Sequence, residues 1–389
     1  MLQLPVYLDN HATTPCDPRV IEVMLPYFGR FYGNASSKGY LFGWQSAEAV
    51  QIAREELAAL INADPAEIIF TSGSTESINL AIKGAYEMFS GKGKHIITSS
   101  TEHSAVLDSC GHLEKQGAEI SYLPVQSDGV IDINLLKSAI RPDTIMISVM
   151  VANNETGVIQ PFREIGKISK ERNILFFTDA TQALGKIPLD VLGDGIDLLA
   201  CSAHKMYGPK GVGALYIRRK NPRVKLAAQL DGGSQERGFR SGTLNVPGIV
   251  GFGEAARLAA LEMGSNMTII GKLRDKLESA LTKFEGTILN GNRQYRLPTV
   301  TNISFGNGEG GGLLEKLIKD IAISSGSACN SASPEPSHVL RAMGLDDDAA
   351  HHAIRFSLGK NNTEEEIDFV IERVKLSLEV IRETEKSGY

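Results

Sequence analysis

Tryptophan occurs once in the 389 residues, at Trp44, and cysteine four times, at Cys16, Cys110, Cys201 and Cys329. No two cysteines stand in Cys-x-x-Cys spacing, so a zinc ribbon or a dithiol redox site has no support, and no metal is expected. Long apolar runs are also missing. No stretch reaches the roughly 18 apolar residues that a membrane helix needs. The first residues, Met1-Leu2-Gln3-Leu4-Pro5, contain neither a basic nor an apolar signal region. A cytoplasmic location is predicted, although a mature organelle protein that has lost its transit peptide would read alike. Lysine and arginine total 40 against 46 aspartates and glutamates, a formal net charge of -6, and no long basic run occurs. That balance argues against nucleic-acid binding. Glycine pairs stand at Gly91-Lys92-Gly93 and Gly251-Phe252-Gly253, but no strand–GxGxxG–helix unit and no GxxxxGK[ST] is present, which leaves a nucleotide site unsupported. Internal repeats and low-complexity segments are absent too.

What is present is an ordinary globular composition, with 42% hydrophobic and 22% charged residues. The length exceeds what one core usually organises, so two domains are expected. Strand-like runs at 67–71, 95–98, 119–123, 144–150, 174–178, 196–201 and 212–218 alternate with helical patterns. Alternation of this kind predicts an α/β fold around a mostly parallel seven-stranded sheet. Among the helices are 46–61, amphipathic, and 78–86. A long helical region, 246–284, should contain the domain boundary near residue 262. Residues 16–262 would then form the large domain, and 1–15 with 263–389 a small α+β domain. The small domain is read as strand 300–305, helix 313–320, strands 322–324 and 354–358, and a last helix opened by the capping box Thr363-Glu364-Glu365-Glu366. The glycine-rich stretch 306–312 around Glu309 reads as a mobile turn.

Several strand ends carry chemistry. Lys205 follows the run 196–201 in Ser202-Ala203-His204-Lys205, before a Gly/Pro-rich turn, and Asp179 closes the run 174–177. Phe70-Thr71-Ser72-Gly73-Ser74-Thr75-Glu76-Ser77 passes from strand to helix, where hydroxyls and free backbone N–H groups make an anion seat. His103 stands in Thr101-Glu102-His103-Ser104. Alone, such a lysine is usually solvated, such an aspartate is usually a helix N-cap and such a histidine is usually a satisfied core residue. Together they place an amine, a carboxylate, an anion seat and an imidazole at strand ends, where α/β folds bind ligands. This is the set that pyridoxal phosphate requires.

Further motifs follow in order: Ala12-Thr13-Thr14-Pro15, Asn153-Asn154-Glu155, Asp179-Ala180-Thr181-Gln182, Arg240-Ser241-Gly242-Thr243 and Ser324-Ser325-Gly326-Ser327-Ala328-Cys329. On these residues the chain resembles the cysteine desulfurases, PLP-dependent transferases of type I fold in the class V aminotransferase group. The resemblance is closest to the housekeeping branch that serves iron–sulfur cluster assembly, and it runs over nearly the whole chain. It implies that Lys205 is the Schiff-base lysine and the base acting at the substrate Cα. Asp179 would pair with the pyridine nitrogen, Gln182 would donate to the phenolic oxygen, and His103 would stack on the ring and shuttle protons. Asn154 would meet ring and substrate. Ser74, Thr75, Ser202 and His204 would hold the phosphate, joined by Thr243 from the neighbouring subunit of a homodimer. Arg355 would clamp the substrate α-carboxylate with its planar fork. Cys329, in a small and polar loop, would take sulfur from L-cysteine as a persulfide, leaving L-alanine. Acceptor proteins such as an iron–sulfur scaffold would then receive the sulfur, for cluster assembly and thio-modification.

His11 is assigned a pocket-lining role, and Cys16, Cys110 and Cys201 are read as small buried thiols. A selenocysteine lyase would share this pocket, whereas an aminotransferase would have no use for Cys329. A sulfur-relay protein with weak activity of its own is the non-enzymatic alternative, and the joint presence of Lys205, Asp179, His103 and Cys329 argues against it. The chain departs from the family pattern at Ala35, where relatives carry proline, and at Tyr40, where they carry histidine. It also reaches Tyr389 soon after the last helix, which predicts scaffold docking that is weaker or uses another surface.

Overall fold

Runs such as Ile68-Ile69-Phe70 and Leu175-Phe176-Phe177 are apolar on both faces, and a strand of that kind is stable only with both faces covered. The computed structural model describes residues 2–306, 309–325 and 336–386. After the two-residue β1 (Val6–Tyr7) come β2 (Ile68–Thr71), β3 (His95–Ser99), β4 (Glu119–Leu123), β5 (Thr144–Ser148), β6 (Leu175–Asp179), β7 (Leu198–Ser202) and β8 (Gly213–Ile217). The last seven form one sheet in the order β2-β8-β7-β6-β5-β3-β4. Only β8 runs antiparallel to its neighbours. Because it opposes both β2 and β7, those two strands point the same way as the rest. The carboxyl ends of β2, β3, β5, β6 and β7 therefore share one edge of the sheet.

Helices Ser74–Phe89 and Ser104–Glu114 bury Ile78, Ile82, Val106 and Leu113 with Ile69, Ile96 and Phe177 in one apolar cluster. On the other face, Leu41–Leu60 and Phe162–Arg172 pack Val50, Leu57, Phe162 and Ile165 with Phe70, Ile147 and Phe176. Two glycines allow close approaches here. A Cβ on Gly253 would meet Cα of Ala53 at 2.4 Å, so the helix Val246–Leu281 lies backbone to backbone against Leu41–Leu60. A Cβ on Gly213 would meet Cα of Gly73 at 2.6 Å, so the start of β8 presses on the turn that opens Ser74–Phe89.

The C-terminal part adds β9 (Ile288–Leu289), β10 (Val300–Ser304), β11 (Ile321–Ala322), β12 (Ser324–Ser325) and β13 (Ala353–Ser357). An antiparallel sheet forms in the order β12-β13-β10-β9, while β1 pairs with β11 in parallel. The 36-residue helix Val246–Leu281 joins two cores. Ile249, Phe252 and Ala256 enter the first, and Ile270, Leu273, Leu277 and Leu281 enter a second with Val6, Leu8, Ile354 and Phe356. The last helix, Glu364–Lys386, starts with its capping box formed. Glu366 N donates to Thr363 Oγ1 at 3.2 Å, and Thr363 N donates to Glu366 Oε2 at 3.0 Å.

Three expectations change. Residues 322–324 are not one strand, because the chain passes at Ile323 from β11 to β12, which belong to different sheets. The glycine-rich stretch around Glu309 is not a turn from 309 onward. The helix Glu309–Leu317 begins there, with the buried Glu309 carboxylate held by Arg382 Nε at 2.6 Å. Cys110 and Cys201 are buried, but Cys16 is partly exposed.

Candidate active site

The shared sheet edge opens into a cleft of about 370 Å³. Ser74, Thr75, His103, Asn154, Asp179, Gln182, His204, Lys205 and Arg355 all line it. Ser202 lines the hollow beside it, with Ser74, Thr75, His204 and Lys210. Thr243 is exposed and lines neither in this chain. Cys329 lies outside the described residues.

β7 ends in the turn Ala203–Lys205, which turns the Lys205 amine towards the N-terminal segment. Its Nζ donates to the Ala12 carbonyl at 2.7 Å and to the His11 carbonyl. His11 is fixed in turn: Nδ1 lies 3.0 Å from Asn154 O, and Nε2 lies 2.9 Å from Thr299 Oγ1. A carbonyl only accepts, so Nδ1 carries the hydrogen and Nε2 accepts from the threonine. That neutral form agrees with a pKa lowered well below the usual value, chiefly by burial and then by Lys186.

His103 caps the helix Ser104–Glu114, with Ala105 N donating to its Nδ1 at 3.1 Å. Nδ1 is thereby an acceptor, and the hydrogen of the neutral ring sits on Nε2. Burial is the main cause that lowers the His103 pKa. Asp179 ends β6. Thr181 N donates to its Oδ1 at 2.9 Å, which leaves Oδ2 for a ligand. Gln182 Nε2 donates to the His11 carbonyl at 2.9 Å. His204 Nδ1 lies 3.1 Å from Thr13 Oγ1, and burial, followed by Lys205, lowers its pKa to about 4.

Arg355, on β13, is buried. Its Nη2 donates to Asp9 Oδ1 at 2.8 Å and to Ser324 Oγ at 3.1 Å, and its Nη1 donates to Asn154 O at 3.2 Å. The helix Ser74–Phe89 starts at Gly73 without a side-chain cap, so its first N–H groups remain for an anion. An uncapped helix start with hydroxyls, a carboxylate with one oxygen committed to the backbone, and an amine that donates to two carbonyls fit the donor and acceptor needs of pyridoxal phosphate.

Three polar residues of this region were not singled out from the sequence. Asp9 holds Arg355. Lys186 donates to Gln182 Oε1 at 2.9 Å. The Glu102 carboxyl accepts from Met150 N at 2.6 Å through Oε1, while its buried Oε2 has no hydrogen-bond partner among the described residues. Burial, and then the charge of Asp179, raises the Glu102 pKa well above the carboxylate range. The signal for Glu102 was its place in the His103 motif, whereas a lysine in a turn such as Lys186 carries none.

Over residues 6–370 the chain matches the family described as aminotransferase class-V. The cysteine desulfurase IscS of Anaeromyxobacter sp. (strain K) is 56% identical to it over 371 residues, which cover 95% of this chain and 91% of the relative. Among solved structures, a NifS-like protein is similar with a TM-score of 0.90 at 39% identity, over 97% of this chain and 100% of that one. SspA in complex with cysteine is similar with a TM-score of 0.81 at 37% identity, over 92% of this chain and 100% of that one. Matched over nearly its whole length, the chain belongs to the class-V aminotransferase family, among its cysteine desulfurases.

Proposed function

We propose that this protein removes sulfur from L-cysteine, using pyridoxal phosphate held in the cleft and a persulfide on Cys329. The observation that carries this is the meeting of Lys205, Asp179, His103, Gln182 and Arg355 in one cleft, from strand ends far apart in sequence. The cofactor would sit with its pyridine nitrogen at Asp179, its phenolic oxygen at Gln182 and its phosphate at the start of Ser74–Phe89, near Ser202 and His204. When bound there it supplies an electron sink for chemistry at the substrate Cα.

The chain's own residues would do the rest. Arg355 orients the substrate by its carboxylate, its fork already fixed by Asp9 and Asn154. Lys205 Nζ would hold the cofactor, and its amine would take a proton at the substrate Cα. His103 gives or takes a proton at Nε2, since Nδ1 is committed to the backbone. In the net reaction the substrate C–S bond breaks, an S–S bond forms on Cys329, and the Cys329 thiol proton ends on L-alanine. Acceptor proteins in iron–sulfur cluster assembly and thio-modification would then collect the sulfur. A homodimer belongs to the same reading. Leu25, Phe28, Tyr32, Leu41, Phe42 and Trp44 stand exposed within one short stretch, and such a concentration marks a partner surface.

The test is to load the purified protein with pyridoxal phosphate, record its visible spectrum, and assay sulfide and alanine after adding L-cysteine and a reductant. Equimolar products that are lost in Cys329→Ala support the proposal. Activity that survives Cys329→Ala points to a lyase, and the absence of a visible band overturns the assignment of Lys205.

A further inference from the structure

One buried amine in this region has no part in the chemistry above. Lys186 is 8% exposed, and among the described residues no carboxylate pairs with it. The charges that act on it are those of Lys205 and Arg355, both positive. Its charge in turn acts on His11 and His204, and Lys186 and Lys205 both line a small hollow with Asp17, Glu262 and Lys360. Burial first, then Lys205 and Arg355, lowers its pKa to about 7. A buried ammonium without a counter-ion is unfavourable. Among the described residues its side chain makes one hydrogen bond, at 2.9 Å to Gln182 Oε1.

That bond and the one to the His11 carbonyl together fix which way the Gln182 amide faces. The amide has two orientations that exchange oxygen and nitrogen. Lys186 offers hydrogens whether charged or neutral, and the His11 carbonyl only accepts. Oε1 must therefore face Lys186, and Nε2 must face His11 O at 2.9 Å. The reverse orientation would set two acceptor oxygens against each other. With one Nε2 hydrogen on His11, the second is the donor that this amide can offer to the cleft.

We propose that Lys186 is a positioning residue, which by holding Gln182 Oε1 keeps Nε2–H as the group offered to the phenolic oxygen of the bound cofactor. This rests on the function proposed above. A donor to that oxygen favours its deprotonated form, so losing the donor raises the pH at which the visible band titrates.

The experiment compares pH titrations of that band in the protein loaded with pyridoxal phosphate. In Lys186→Met the midpoint should rise by about one unit, the size of one charge-assisted hydrogen bond. Gln182→Leu should rise alike, and the double variant should rise no further than Gln182→Leu alone. Lys186→Gln loses the charge but keeps an N–H for Oε1, so its midpoint should stay near that of the parent. A Lys186→Met titration unchanged from the parent overturns the proposal, as do shifts that add in the double variant, since Lys186 would then act by its charge alone. If Lys186→Met does not fold, Lys186→Gln decides, because a rise equal to that of Gln182→Leu overturns it. A parent protein that takes up no pyridoxal phosphate removes the function proposed above and this role together.

Discussion

Asp9 and Arg355 are separated by 346 positions and meet at 2.8 Å. Neither residue carries a local sign of the other, and the pair depends on β13 lying beside the N-terminal segment. The strand-end positions of Asp179 and Lys205 were legible because each follows or closes an apolar run, a feature contained in a few neighbouring residues. Lys186 was not, because a lysine in a turn reads as solvated until the long-range packing that buries it is known. Arg355→Lys keeps the charge and loses the fork. The KM for cysteine is expected to rise about tenfold or more, with kcat changing less, as a charge-assisted hydrogen bond is worth about 1.5–3 kcal/mol. An unchanged KM in steady-state kinetics would place the carboxylate elsewhere. Glu102 gives a pH-dependent case. Its raised pKa keeps it protonated in the fold, while the unfolded chain ionises it above about pH 4.3. Its stabilising effect is complete below that pH and is lost as pH rises towards the folded value. Glutamine does not ionise, so the melting temperature of Glu102→Gln relative to the parent should increase from about pH 5 to about pH 8. A constant difference would mean that the carboxyl is ionised in the fold.

At the scale of elements, the seven strands of the large sheet stand where apolar runs predicted them, with ends moved by a few residues. Helix starts were harder to place. The helix expected at 78–86 begins at Ser74. Its first turn, Ser74-Thr75-Glu76-Ser77, is small and polar and reads as loop. The same composition leaves the N–H groups of that turn available to an anion. At 309 the glycines hid a helix that depends on a distant arginine, Arg382. Helix contacts also carry information that periodicity does not hold. Gly253 was read only as part of a weak glycine pair, yet it sets the distance between two helices. Gly253→Ala should destabilise the fold by about 1–3 kcal/mol through overpacking against Ala53. Urea unfolding measures this, and an unchanged midpoint would mean that the two helices separate at no cost.

At the scale of the whole molecule, the exposed apolar surface around Trp44 is the feature that a lone chain leaves unexplained. Trp44 itself is 56% exposed. Trp44→Glu is expected to shift the protein from dimer towards monomer in sedimentation velocity, since a charge in the centre of an apolar contact opposes association. A dimer of unchanged affinity would put the interface on another face. The long helix Val246–Leu281 has a thermodynamic consequence. Its two halves belong to different apolar clusters, but its backbone hydrogen bonds form one uninterrupted ladder about 54 Å long. Melting either cluster strips the cover from half of that ladder and frays the other half. The two cores are therefore coupled in heat, and calorimetry should record one endotherm in which the calorimetric and van't Hoff enthalpies agree.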